Sequence, residues 1–212
     1  SETSSGNWNS TADEVELSVN DLYKSAFWGG PTSELGTDDQ IYRDNLSFNQ
    51  IANGTINGES NDGPKVVDTW FNCYKAVSRA NYILSTMDRA KDELTHDEYN
   101  RYIGEVKFVR ANQYAKLSFL YGDVVYYTEP ILLQEAYVLG RMPRAQVMEN
   151  IMTDFDDAIL ALPEKYENGK LRATKGAAYA LKARWALYYA SVLKFDESPN
   201  LIEAEKYFKI AR

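Results

Sequence analysis

The chain has 212 residues, of which 44% are apolar, a composition typical of a folded domain rather than of a disordered chain. Its 23 Lys and Arg against 31 Asp and Glu give a net charge of −8, which argues against duplex nucleic acid or an anionic membrane surface as a partner, because both need a basic protein face. One cysteine and one histidine exclude a disulfide framework and metal sites built on several cysteines or paired histidines, so we expect no metal and no cofactor.

Six segments carry apolar residues at the three- and four-residue steps of an α-helix. The predicted helices cover residues 10–28, 64–87, 95–121, 143–162, 174–193 and 201–212. Thr95 and Glu98 form a capping-box pattern at the start of the third helix. Two long connections interrupt the helices, at residues 32–62 and at residues 123–142, and the second contains a β-prone piece from Val124 to Tyr127.

Two of the predicted helices follow the spacing of the tetratricopeptide repeat, in which Ala precedes Phe by four residues and Pro closes the second helix. The matching residues are Ala204, Phe208 and Ala211 in the sixth helix, and Ile151, Phe155, Ala158 and Pro163 in the fourth. The sequence therefore predicts an all-α fold of tetratricopeptide-like helix pairs (1–2, 3–4 and 5–6) with long irregular loop insertions. An ordinary helix bundle fits the same spacing and stays open as an alternative.

The loop from Trp28 to Asp62, which contains the first long connection, carries candidate ligand contacts. Three aromatic residues lie on a segment without a helical stripe to bury them, and four polar residues surround them: Trp28, Tyr42 and Phe48, with Asp38, Asp39, Arg43 and Asn45. Sugars present apolar C–H faces and many hydroxyls, so aromatic rings beside polar side chains predict a carbohydrate site. In the alternative interpretation, Trp28 anchors the loop on the core and the acidic residues cap turns.

Several polar residues lie within or beside the apolar stripes of the helices. Glu105 and Arg110 belong to the third helix, and Asn81 and Asn112 lie next to apolar positions. A helix interior disfavours Asn unless its amide is hydrogen-bonded. We expect these four side chains, and Arg184 in the fifth helix, to join helices to one another rather than to touch a ligand.

Five ordered blocks, which together cover almost the whole chain, carry a resemblance to a known family. Residues 70–84, with Trp70 and Asn81, are similar to W-x3-Y-x2-I-x2-A-N-x-I-L, and residues 104–111, with Glu105 and Arg110, to G-E-A-x-F-L-R-A. The remaining blocks are Tyr121-Gly122-Asp123-Val124 (F-G-D-V-P, with Val125 in place of Pro), Arg141 to Pro163 with Asp154, and Gly169 to Ala178 with the arginine displaced to Arg172. In this order the blocks resemble the SusD/RagB family.

The resemblance implies that residues 1–212 are the N-terminal, tetratricopeptide-like helical region of a longer SusD-like glycan-binding lipoprotein from Bacteroidetes-type bacteria. Members of this family lie on the outer face of the outer membrane and form the lid of a SusC-like TonB-dependent transporter in nutrient uptake. The implied partners are therefore an oligosaccharide or polysaccharide and that transporter. The implied membrane contact is a lipid anchor outside this sequence, because Cys73 lies inside a predicted helix.

Catalysis has little support in the sequence. The chain contains no G-x-S-x-G, P-loop, G-x-G-x-x-G or H-E-x-x-H motif, and adjacent acids such as Asp38 and Asp39 do not flank one bond as glycosidase acids do. We therefore expect no enzyme activity. The alternative function is a tetratricopeptide-like scaffold that binds a peptide or protein in a groove. Exposed aromatic residues on the long loops favour the glycan platform, whereas aromatic residues along helix faces favour the peptide groove.

Overall fold

The chain folds into α-helices in a structure, a computed structural model, that describes residues 5–26, 28, 64–167 and 170–212. Within these ranges the β structure consists of one antiparallel bridge between Val124 and Met142. The predicted all-α, tetratricopeptide-like fold is confirmed. The described residues form seven α-helices: α1 (Ala12–Ser25), α2 (Pro64–Thr86), α3 (His96–Tyr121), α4 (Leu133–Ala136), α5 (Arg144–Ala161), α6 (Lys175–Phe195) and α7 (Leu201–Ile210).

Side-chain caps fix the starts of four helices. The side chains of Thr11, Thr95, Thr174 and Asn200 each accept a hydrogen bond from the backbone N–H three residues later. Each bond satisfies one of the N–H groups that lack a partner in the first helical turn. The capping box predicted at the start of α3 is confirmed, because the Glu98 side chain also accepts the backbone N–H of Thr95.

The central helix is α3, which packs against α1, α2, α5 and α6. It therefore buries side chains on nearly all of its faces rather than along one stripe. The most extensive packing joins α3 to α5 and α6 to α7, so the predicted pairing of the third with the fourth helix and of the fifth with the sixth is confirmed. Helix α1 packs on both α2 and α3.

The connection between α3 and α5 has more structure than the sequence predicts. Gly122 ends α3 with a φ of 74°, a conformation that favours glycine. The Asp123 carboxylate then accepts a hydrogen bond from the backbone N–H of Arg144 at 2.8 Å. A residue well before α5 in the sequence therefore caps the start of that helix. The one-turn helix α4 and a 3-10 turn, Tyr137–Leu139, lie within this connection. The predicted extended piece contributes only the bridge at Val124.

Gly104 lets α3 approach the carboxyl end of α5 closely. A Cβ atom at this position would lie 2.7 Å from the Cβ of Ala161. Neither atom can rotate away, because both are fixed to helix backbones, so the two helices would have to move apart. We expect Gly104→Ala to lower the free energy of unfolding by about 1–3 kcal/mol, as overpacked cores do. Urea denaturation measures this change.

Gly176→Ala is the matched control for this substitution. Gly176 lies in the first turn of α6, where a Cβ would meet only the Thr174 hydroxyl oxygen, at 3.9 Å. We expect it to keep or raise stability, since Ala is the better helix former. Equal free energies of unfolding for the Gly104 and Gly176 variants would contradict the steric argument.

Candidate functional site

Arg110 joins three helices through its guanidinium group. Its Nε donates to Oδ2 of Asp154 on α5 at 2.8 Å, and Nη2 donates to Oδ1 of the same carboxylate at 2.9 Å. Nη1 donates to Oδ1 of Asn81 on α2 at 3.0 Å. The Asn81 amide in turn donates to the backbone carbonyl of Tyr127 at 3.0 Å. One buried chain of hydrogen bonds thus holds α2, α3, α5 and the connection after α3 together.

Glu105, one and a half turns before Arg110, joins α1 and α3 to the segment that precedes α6. Its Oε1 accepts hydrogen bonds from Nε of Arg172 at 2.6 Å and from the Tyr23 hydroxyl at 2.9 Å. Arg172 also donates to Oδ1 of Asn20 on α1 at 2.7 Å. Burial raises the pKa of the Glu105 carboxyl, and the adjacent Arg172 charge opposes that rise. Both groups are enclosed by protein, which makes them structural rather than available to a ligand.

Of the other two polar residues expected to join helices, Asn112 does so and Arg184 does not. Asn112 is buried on α3 and accepts the indole N–H of Trp185 on α6 at 3.1 Å. Arg184 is exposed, so the expectation that it joins two helices is wrong. Because neighbouring helical residues differ by about 100° in direction, the burial of Trp185 turns Arg184 toward solvent.

Trp70 belongs to a cluster of aromatic rings between α2 and α3. Its ring meets those of Tyr74 and Tyr121 edge-on, with centroids 4.9 and 4.7 Å away. Tyr74 lies parallel to Tyr127 at 6.0 Å, and its hydroxyl donates to the carbonyl of Val125 at 2.7 Å. These rings fill the space between the helices and position the connection after α3.

Cys73 on α2 and Lys116 on α3 are both buried. Burial raises the pKa of the Cys73 thiol to about 12, and such a thiol is protonated and weakly nucleophilic at neutral pH. Burial also lowers the pKa of the Lys116 ammonium group to about 8. The folded protein therefore disfavours the positive charge of Lys116.

Trp28 is the one predicted ligand-contact residue within the described ranges. Its indole N–H donates to the backbone carbonyl of Tyr23 at 2.6 Å, and its ring stacks on Tyr23 and Phe108 with centroids 6.0 and 5.9 Å away. The side chain is still 43% exposed. It is therefore anchored on the core and open to solvent at once. The other six candidates lie outside the described residues: Asp38, Asp39, Tyr42, Arg43, Asn45 and Phe48.

A groove of about 850 Å³ lies between α1, α2 and residues 130–137. Five aromatic rings line it, together with a few polar side chains at its rim: Trp8, Phe71, Tyr74, Tyr82 and Tyr137, with Asp21, Lys75, Arg79 and Gln134. Sequence reasoning missed this groove, because its walls come from three segments that are distant in the chain. The wide apolar stripe of α2 is a partial indication of the groove. Phe71, at the edge of that stripe, is 55% exposed and lines the groove.

Within the described part of the chain, no group of three or more His, Cys, Asp or Glu side chains is placed to hold a metal ion. None of the described helices is both long enough and apolar enough to cross a lipid bilayer.

Comparison with known sequences identifies the family. The profile of a SusD-like family, described as "Starch-binding associating with outer membrane", matches residues 4–187. The chain belongs to this SusD-like family. A curated relative, SusD-like protein P25 of Formosa agariphila, is 35% identical over 120 residues, which are 56% of this chain and 23% of the relative.

Solved structures of SusD-like proteins share the fold. A SusD-like protein from Bacteroides fragilis is 26% identical with a TM-score of 0.71, and the match covers 97% of this chain and 39% of that protein. A laminarin-binding SusD-like protein is 21% identical with a TM-score of 0.64, covering 87% of this chain and 43% of the other. This SusD-like chain thus spans less than half the length of the relatives that it matches.

Breaking the ion pair between Arg110 and Asp154 should destabilise this SusD-like fold. Arg110→Ala leaves the buried Asp154 carboxylate without its counter-charge, so we expect a loss of about 3–5 kcal/mol in the free energy of unfolding. The control is Lys209→Ala, which removes an ion pair with Glu205 whose side chains are 67% and 69% exposed, and which we expect to cost less than about 1 kcal/mol. Denaturation curves with similar midpoints for the two variants would refute this assignment.

The lowered pKa of Lys116 predicts how the free energy of unfolding depends on pH. The unfolded chain keeps the Lys116 proton up to the ordinary pKa of 10.5, whereas the folded chain releases it near 8. Between these values the unfolded state binds more protons, so the free energy of unfolding rises with pH. We expect Lys116→Met to be more stable than wild type at about pH 7, and the difference to shrink toward about pH 9.5.

Urea denaturation across this pH range checks the Lys116 prediction. Lys165→Met, at an exposed lysine, is the control and should keep the pH dependence of the wild type. A constant stability difference between wild type and Lys116→Met over the range would show that burial does not disfavour the Lys116 charge.

Proposed function

We propose that the protein binds an oligosaccharide or polysaccharide without catalysing a reaction on it, as part of a SusD-type nutrient uptake system at the outer face of the outer membrane. The observation that carries the proposal is the family match over residues 4–187. The fold is also shared with a protein named as laminarin-binding and with surface glycan-binding protein A of Bacteroides uniformis. In this proposal the helices are a scaffold and the ligand contacts lie on the segment that follows α1.

The exposed indole of Trp28 supports that location for the ligand contacts. A sugar ring can stack on the free part of the indole while the bond to Tyr23 holds the ring in place. The aromatic residues Tyr42 and Phe48 are the proposed further stacking platforms. The proposed hydrogen-bond partners of the sugar hydroxyls are Asp38, Asp39, Arg43 and Asn45.

The proposed protein partner is a SusC-like TonB-dependent transporter. Residues 1–212 would then be the helical N-terminal region of a longer, lipid-anchored protein, in agreement with the 39% and 43% shares of the solved relatives that they span. Extraction of the native protein with a mild detergent should co-purify a transporter barrel. Purification without any barrel protein under these conditions would count against the partnership.

A second candidate function is a scaffold that binds a peptide or another protein. The groove beside α2 favours it, because Phe71, Leu132 and Tyr137 are each at least half exposed there. Phe71 lies on a helix face, which is the placement expected for a peptide groove, whereas Leu132 and Tyr137 lie on the long connection after α3.

The glycan proposal predicts the effect of Tyr42→Ala. Affinity electrophoresis of the full-length protein in gels that contain laminarin, starch or other polysaccharides first identifies the glycan that retards it. Tyr42→Ala should then weaken binding by about 1–3 kcal/mol, the range for losing one aromatic hot spot, with an unchanged melting temperature. Tyr179→Ala, at a 56% exposed tyrosine on α6, is the control and should bind like the wild type.

Trp28→Ala separates the anchoring role of the indole from ligand binding. Its ring packs on Tyr23 and Phe108, so truncation should lower both the melting temperature and the glycan affinity. Failure of every polysaccharide to retard the full-length protein would overturn the glycan proposal. Unchanged affinity of both variants for a glycan that does bind would move the site away from the segment after α1.

A further inference from the structure

The floor of the groove beside α2 has few polar groups left for an occupant. The indole N–H of Trp8 donates to the Ser18 hydroxyl at 2.8 Å, and the Tyr74 hydroxyl donates to the carbonyl of Val125 at 2.7 Å. The Ser78 hydroxyl lies 2.8 Å from the Tyr127 hydroxyl. With these groups engaged inside the protein, the floor presents mainly rings and aliphatic surface.

The apolar surface continues out of the groove and over its lip. Leu132 and Tyr137 at the lip are 55% and 50% exposed, and the neighbouring Val138 and Leu139 are 88% and 57% exposed. Contiguous exposed apolar surface of this kind, rimmed by polar residues, is typical of a protein–protein contact. Aliphatic side chains offer no stacking platform to a sugar, and sugar hydroxyls on such a floor would lose their hydrogen bonds.

The rim of the groove carries positive charge from one face of α2. Phe71, Lys75 and Arg79 follow one another at four-residue steps, so they project in the same direction. Arg79 lies 3.6 Å from the carboxylate of Asp21, and both side chains are partly exposed. Within the described ranges, Lys75 forms no ion pair with an acidic side chain. In a chain of net charge −8, this rim is a local site that attracts a carboxylate.

We propose that this groove is a docking site for a segment of a partner protein in which an aromatic or leucine side chain is adjacent to Asp or Glu. The apolar side chain occupies the floor beside Phe71, and the carboxylate pairs with Lys75 and Arg79. On α1, Asp21 at the groove and Tyr23 beneath Trp28 point about 200° apart. The proposal rests on the second candidate function, a scaffold that binds a protein partner, and does not depend on glycan binding.

Selection from a phage-displayed library of random peptides tests the proposal. The library is selected on the wild-type chain and depleted on the Phe71→Ala/Lys75→Glu double variant. The enriched peptides should share an aromatic residue or leucine next to an acid. A synthetic peptide with the enriched sequence is then titrated by fluorescence polarisation, and its affinity should fall as salt is raised.

Single substitutions assign that peptide to the groove. Phe71→Ala and Lys75→Glu should each weaken its binding about tenfold, as loss of an anchor or of an ion pair does. Tyr137→Ala is a second test of the apolar floor. The controls are Phe195→Ala and Lys165→Glu, at an exposed Phe and an exposed Lys on other surfaces, and both should bind like the wild type. Circular dichroism checks that each variant keeps its helices.

Four outcomes would overturn the proposal. They are a library without enrichment, an enriched sequence that is basic, unchanged affinity in the Phe71 and Lys75 variants, and displacement of the peptide by laminarin or starch oligosaccharides. Light scattering tests whether a second copy of the chain occupies the groove instead. A dimer that Phe71→Ala dissociates would assign the groove to self-association instead.

Discussion

A guanidinium group buried among helices must have its charge and its N–H donors satisfied, and the arrangement around Arg110 follows from that requirement. Asp154 on α5 supplies the counter-charge, and Asn81 on α2 accepts a further N–H. Because Arg110 and its two partners lie on three different helices, the guanidinium is satisfied only when those helices have one relative position. A purely apolar contact tolerates sliding by a fraction of a turn, whereas this geometry does not.

The same logic explains how Val124, Val125 and Tyr127 remain buried without belonging to a sheet. Their carbonyl groups cannot be left without hydrogen bonds, and side chains from the helices supply the donors. Tyr74 donates to Val125, and Asn81 donates to Tyr127. The connection is therefore fixed by polar side chains projecting from α2 and α3. It forms one wall of the groove and holds α4 and the exposed Tyr137 in place.

The sequence predicts the parts of this molecule that depend on local pattern. The capping box at Thr95 and the apolar stripes locate the long helices to within a few residues. The interactions that depend on distant residues were not predictable. Nothing near Arg172 indicates that it pairs with Glu105, and the groove exists only once α1, α2 and residues 130–137 meet. The sequence does not show that Arg184 faces solvent, because alanine-rich stripes give little information about which face of a helix is buried.

The two sides of helix α2 have different environments. One side carries Cys73, Val77 and Ala80, which are fully buried, and the other carries Phe71, Lys75 and Arg79, which border the groove. Substitutions on the second side leave the packed core untouched, so most of them change stability little. Related proteins can therefore exchange rim residues and acquire new partners during evolution, while the helix that displays those residues keeps the same position.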